Sequence, residues 1–459
     1  MGFHTKSADG TYTVWNHSFK WTDKHFTPEE LLPLRQQADD LAENAASRLQ
    51  AIAGKEKENN PSAPPARADM YGLLKKHHAD DEVLQQLWDE VHTVPDWVDW
   101  AQIERGQEFL YRYLVPNLTG LALQGFLGGT ATIAGGTEVL VRTGSFSVRV
   151  LPRRFLETFL WLLQITISLK SIQPGGEGHI STVRVRLLHS TVRNRVLKLI
   201  EKDPAYFDAE KLGTPVNLRD AIHATAIFCC MPLFRQLPKI GIQPQPEETR
   251  DFLALFRYVA YVMATPDSYF DGPEQCKATM ESIMLCEPDP TEASKAIGVN
   301  FVSAVQDYPG VNVSRSFFVT GCRAMSGDEL ADKMGFPKTS PIYYAAFKGW
   351  CTLLVVLTTL QQWIPAFDRM VINKAKDFVL SNIFEASLLK GEGRFELRYV
   401  PQLNQYTKKE EVAVKTSLFR PIETIGLVVF TIQYSMYFLA IAALVKLLFV
   451  GGRGLTPIF

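Results

Sequence analysis

The chain is 459 residues long, 46% hydrophobic and 11% aromatic, with 48 Lys+Arg against 49 Asp+Glu and a formal net charge of −1. This length allows two or three ordinary domains, or one large helical domain with extensions, and the balanced charge excludes a basic nucleic-acid-binding surface. So high an apolar content calls for a large apolar pocket, membrane contact, or both.

Residues 1 to 30 are polar and aromatic, with Trp15 and Trp21, and read as an arm across the surface. The start lacks an apolar core, so no cleaved signal peptide is expected. Pro28-Glu-Glu-Leu opens a helix predicted to run to Leu49, and the charged, then proline-rich stretch 54–65 reads as a linker. Asp80-Asp-Glu-Val-Leu starts a second helix that ends at a proline-broken tryptophan turn, residues 94–100. The apolar periodicity of 103–127 predicts a long helix stopped by Gly128-Gly129, and a second apolar helix follows over 131–141. The β-branched run 145–150 is read as a strand, and Pro152 starts a further helix. The glycine-rich loop 173–178 lacks the Gly-Lys-Ser/Thr of a phosphate loop; its glycines suit close approach to a bulky neighbour.

The centre of the chain is the segment Val183 to Leu197. At helical spacing Arg186, His189 and Arg193 share one face, while Leu187, Leu188, Val192 and Val196 cover the other sides. A helix apolar on most sides is buried, and buried charges need partners. A satisfied core histidine is one reading; an axial haem ligand flanked by helix-fixing or propionate-binding arginines is the other. Asn217 is a candidate cap for the helix that carries His223, which reads as structural, and all nine histidines lie at or before His223. Residues 247–265 and 276–287 read as helices. The six cysteines show no C-x-x-C or metal-ligand spacing and read as reduced thiols, with a Cys276–Cys286 bridge left open. Sequons at Asn16, Asn117 and Asn312 are weak evidence for secretion. Residues 349–360 predict a buried or interfacial helix. The 26 residues Ile425 to Val450 exceed the ~20 needed to cross a bilayer.

Arg186-Leu-Leu-His-Ser-Thr-Val-Arg193 resembles the R-x-x-H-x-x-x-R core of the latex-clearing, or rubber oxygenase, family, which includes a fungal endoplasmic-reticulum-bound oxygenase of mycophenolic acid biosynthesis. The tryptophan turn at 95–100 and Arg154-Phe-Leu-Glu-Thr158 resemble further family segments, and the resemblance covers roughly residues 95 to 340. It implies an all-α fold: a large globin-like helical haem domain at 95–340, a helical N-terminal extension at 1–94, and a C-terminal region at 341–459 with a membrane helix at 425–450. It implies haem b held by His189, with Arg186 and Arg193 supporting it. The catalytic residues it implies are Glu138 as base and Arg154, Glu157 and Thr158 on the distal side. The implied reaction is oxidative cleavage of a carbon–carbon double bond in an apolar isoprenoid or polyene by dioxygen, in fungal secondary metabolism. The implied location is the cytosolic face of the endoplasmic reticulum membrane.

One departure is that Glu157 stands where rubber-cleaving members carry a lysine. Each residue also has a plainer reading. Glu138 would pair with Arg142, Arg154 with Glu157, and Thr158 would bond back to its own helix. A non-enzymatic lipid-binding helical protein and a haem oxygen sensor are the competing classes.

Overall fold

A computed structural model describes residues 4–59, 69–129, 132–144, 146–148, 150–286, 290–305, 313–381 and 420–451. The N-terminal arm is a three-stranded antiparallel sheet in the order β1 (His4–Lys6), β2 (Thr11–Val14), β3 (His17–Lys20). The helix expected from Pro28 to Leu49 is broken into three elements. A one-turn helix, Pro28–Leu31, is closed by the Thr27/Glu30 capping box, and a proline-started turn follows at Pro33. Proline has no N–H to donate and its ring clashes with the preceding turn, so the helix cannot run through it.

Helices longer than one turn are numbered from there. Asp39 caps α1 (Asp40–Asn59) by accepting from Ala42 N. This helix continues through 54–59, where a linker was expected, because Lys and Glu are good helix formers and Glu56 meets Lys76 at 2.6 Å. Residues 60–65 of that linker lie outside the described residues. Then come α2 (Met70–His77) and α3 (Glu82–His92), the latter capped by Asp81. The long apolar stretch is α4 (Trp100–Arg112), α5 (Leu114–Gly120) and a π-helical segment, Leu121–Gly129.

Next are α6 (Ala134–Arg142) and α7 (Leu151–Thr166). The described residues of the expected strand at 145–150 form turns instead. Leu151–Thr166 and the following chain, Leu169–Lys202, meet at 113°. A Cβ on Gly178 would run into Gln164 O, and one on Gly176 into Lys170 O. The bulky neighbour expected of this loop is therefore the backbone of the preceding helix.

The remaining helices are α8 (Glu177–Lys202), α9 (Leu218–Met231), α10 (Pro246–Val262), α11 (Gly272–Cys286), α12 (Glu292–Val305), α13 (Arg315–Ser326) and α14 (Asp328–Lys333). After them stand α15 (Pro341–Trp363), α16 (Pro365–Val379) and α17 (Pro421–Gly451). Asn217 caps α9 through Asp220 N at 2.9 Å, and all six cysteines are free thiols. The fold is all-α apart from the small sheet, and α8 lies at its centre, packed against α1, α7 and α10. On the outside α15 and α17 run side by side, and α17 leaves its apolar surface exposed.

Candidate active site

Two of the four arginines of α8, Arg186 and Arg193, are fully engaged. Arg186 donates to both oxygens of Asp39, at 2.6 and 3.1 Å, and pairs with Glu90 at 2.7 Å. Arg193 reaches Glu43 and the carbonyls of Asp39, Pro215 and Val216 at 3.1–3.3 Å. Both side chains are almost fully buried, so these charge-assisted bonds to carboxylates are what allow them inside. The arginines thus tie α8 to α1, α3 and the turn before α9.

His189 sits between them in sequence and behaves differently. It lies deep in the protein, yet it is half-buried rather than buried and keeps some accessible surface. No described residue hydrogen-bonds it. Burial pushes its imidazole down to about 4, and the Arg193 charge acts in the same direction. His179 on the same helix is the contrasting case. Its Nε2 donates to Val91 O at 2.6 Å and its Nδ1 accepts from Gly175 N at 3.2 Å.

Helices α6 and α7 flank α8. Val139 of α6 packs with Val192 and Val196 of α8, and Trp161 of α7 donates to Thr182 of α8 at 3.0 Å. Glu138 accepts from Arg142 Nε at 3.0 Å through Oε2, while its Oε1 accepts no hydrogen bond from a described residue. Glu157 is held by two arginines, Arg154 at 2.7 Å and Arg153 at 3.0 Å.

Thr158 does not bond back to its helix, unlike Thr166, which returns to Leu162 O at 2.7 Å. Instead it lines a cavity of about 390 Å³. The walls are apolar: Phe126, Phe155 and Phe301 meet with ring centroids 4.6–5.9 Å apart, and Phe317, Phe347 and Trp350 complete the lining. Its hydroxyls belong to Thr119 and Thr158, and neither is hydrogen-bonded to a described residue. His189, Glu138, Arg154 and Glu157 do not line this cavity. The aromatic wall was not foreseen from the sequence, because its members come from five separate segments whose only local signal is helical periodicity.

Among the described residues no three His, Cys, Asp or Glu side chains cluster as a metal site. A metal centre that needs a single protein ligand is the kind His189 suits.

Residues 116–356, over half of the chain, match the family described as ER-bound oxygenase mpaB/B'/rubber oxygenase, catalytic domain. No curated protein sequence matches the chain. Among solved structures it is similar to latex clearing protein in the closed state, at 16% identity and a TM-score of 0.53, over 78% of this chain and 95% of that one. A likeness at that identity speaks for the fold. The chain belongs to the mpaB/rubber oxygenase family and carries its oxygenase catalytic domain.

Proposed function

We propose that this protein is a haem b-dependent oxygenase that cleaves a carbon–carbon double bond in an apolar isoprenoid or polyene chain, with His189 as the axial ligand, at the cytosolic face of the endoplasmic reticulum membrane. The observation that carries this reading is a half-buried, neutral imidazole on the central helix with no hydrogen-bond partner among the described residues. A neutral imidazole whose nitrogens have no protein partner is open to bind a metal. A haem would need one protein ligand here, and His189 would hold it.

Bound haem would supply an iron centre that binds and activates dioxygen. The chain's own residues supply the rest. The depressed pKa of His189 leaves its ring lone pair free for a metal at neutral pH. Arg186 and Arg193, locked onto Asp39, Glu90 and Glu43, fix the rotation and depth of α8 and so the aim of that lone pair. They are positioning residues in this reading.

The aromatic cavity strips water from an apolar chain, at a gain of ~0.8 kcal/mol for each buried methylene. Thr158 offers a hydroxyl donor on an otherwise apolar wall, where a preorganised dipole is worth more than in water. Arg154, drawn back by Glu157, holds positive charge at the start of the same helix. Glu138 would accept an allylic proton at Oε1, with Arg142 steadying the other oxygen.

The test is the absorption spectrum of the purified full-length protein. A Soret band near one haem per chain is expected in the wild type, and loss of that band in a folded His189→Ala. Products from a polyene then separate an oxygenase from a haem sensor. A His189→Ala protein with full haem and an unchanged spectrum would reject the ligand assignment.

A further inference from the structure

The cavity is not sealed. Val115 and Leu118 of α5 line it and are 47% and 36% exposed, so it opens to the surface between them. Trp350, in the third turn of α15, and Ile422, in the first turn of α17, also line it and are only half-buried. The mouth therefore lies at the root of the most apolar surface of the molecule.

That surface has the dimensions of a membrane insert. Residues 424–445 of α17 are 22 residues without Asp, Glu, Lys or Arg. At ~1.5 Å per residue they reach ~33 Å, against ~30 Å of hydrocarbon. Met436, Phe438 and Leu439 are 64–74% exposed.

The direction of the helices identifies which one inserts. Gly426 meets Ala346 and Gly349, and Gln433 meets Thr352 at 3.0 Å, so α15 and α17 run parallel. Two parallel helices cannot both cross a bilayer unless the chain between them crosses back. Residues 364–420 are punctuated by charge throughout, Asp368, Arg369, Lys374 and Lys376 in α16 included. So α17 inserts and α15 fastens it to the body. The buried Glu423 pins the start of α17 by accepting from Ser314 N, beside the cavity-lining Val313.

We propose that the cavity is filled from the bilayer: an apolar chain dissolved in lipid enters between α5 and the N-terminal ends of α15 and α17 without crossing water. This rests on the reading of the cavity as the substrate site. An apolar mouth continuous with an apolar anchor lets such a chain move from hydrocarbon to cavity with no desolvation barrier, whereas a route through water would cost the same chain its full transfer free energy.

The test uses full-length protein in phosphatidylcholine vesicles with dibromostearate, a lipid-borne fluorescence quencher, as the probe. The signal is the quenching lost on replacing the cavity tryptophan, wild type minus Trp350→Phe. A charge at the mouth should exclude the probe, so Leu118→Arg and, independently, Val115→Arg should cut that signal about five-fold. Leu32→Arg, an exposed leucine elsewhere, should leave it unchanged. Equal Trp350 quenching in the wild type and both mouth variants overturns the proposal. The readout needs neither haem nor turnover. Quenching that follows the mouth variants in a protein without a Soret band keeps the entrance and rejects the oxygenase. A Soret band and turnover with quenching blind to the mouth keep the oxygenase and reject the entrance.

Discussion

His179 and His189 share α8, and burial pushes both imidazoles down to about 4. What separates them is satisfaction: one ring is hydrogen-bonded at both nitrogens, the other at neither by a described residue. The satisfied histidine makes a pH prediction. Its folded pKa lies below the ~6.5 of an unfolded chain, so the unfolded state binds more protons between those values. Its stability contribution is present above pH 6.5 and is lost as the pH falls towards 4. Wild type should lose about 2 kcal/mol through this group between pH 7 and pH 5. Denaturant midpoints at the two pH values should show a smaller drop for His179→Asn. The carboxylates make a second prediction. Glu138→Gln keeps the size of the side chain and a bond to Arg142 but cannot take up a proton, so haem content should hold while turnover falls ~10²–10⁴-fold. Unchanged turnover in that variant would show that Glu138 is only the ion-pair partner of Arg142.

At the scale of elements, the contact between α15 and α17 depends on two glycines. A Cβ on Gly349 would run into Gly426 O, and one on Gly426 into Ala346 O. Small residues at such a crossing let the two backbones touch, the usual device for packing helices in or near lipid. Gly349→Leu should therefore separate the pair, at a cost of ~1–3 kcal/mol for an overpacked contact. The check is a disulfide between cysteines placed at Thr352 and Gln433, now 3.0 Å apart at their side-chain tips. It should form readily in the parent and poorly once Gly349 is leucine. The N-terminal elements were the least legible in the sequence. Strands of three or four residues give almost no alternation to read, and the break at Pro33 was hidden by leucines and alanines that keep helical spacing on both sides of it.

For the whole molecule, the sheet is clamped to the helical body. His17 and His25 hold the two oxygens of the buried Glu281, at 2.8 and 3.1 Å, and α1 is held to α8 by the arginine bonds. Helix α17 packs chiefly on α15 and leaves most of its apolar side chains exposed. Full-length protein should sediment with membranes through high-salt and alkaline washes. A chain ended after residue 418 lacks α17 and should be released by them. Full-length protein in the soluble fraction without detergent would contradict the membrane reading.

The sequence by itself determined what depends on neighbours along the chain. The helical class, the R-x-x-H-x-x-x-R helix and its family, the cap at Asn217, and the length of the C-terminal apolar run all follow from patterns of a few residues. Only the tertiary structure decided what depends on residues far apart. Arg186 is neutralised by Asp39, 147 positions away. Phe301, Phe347 and Trp350 join Thr158 around one cavity. The parallel course of α15 and α17 sets which apolar helix is free to enter a membrane. Local patterns specify which face of a helix is buried; what that face meets is settled only when the chain closes its long loops and the core packs.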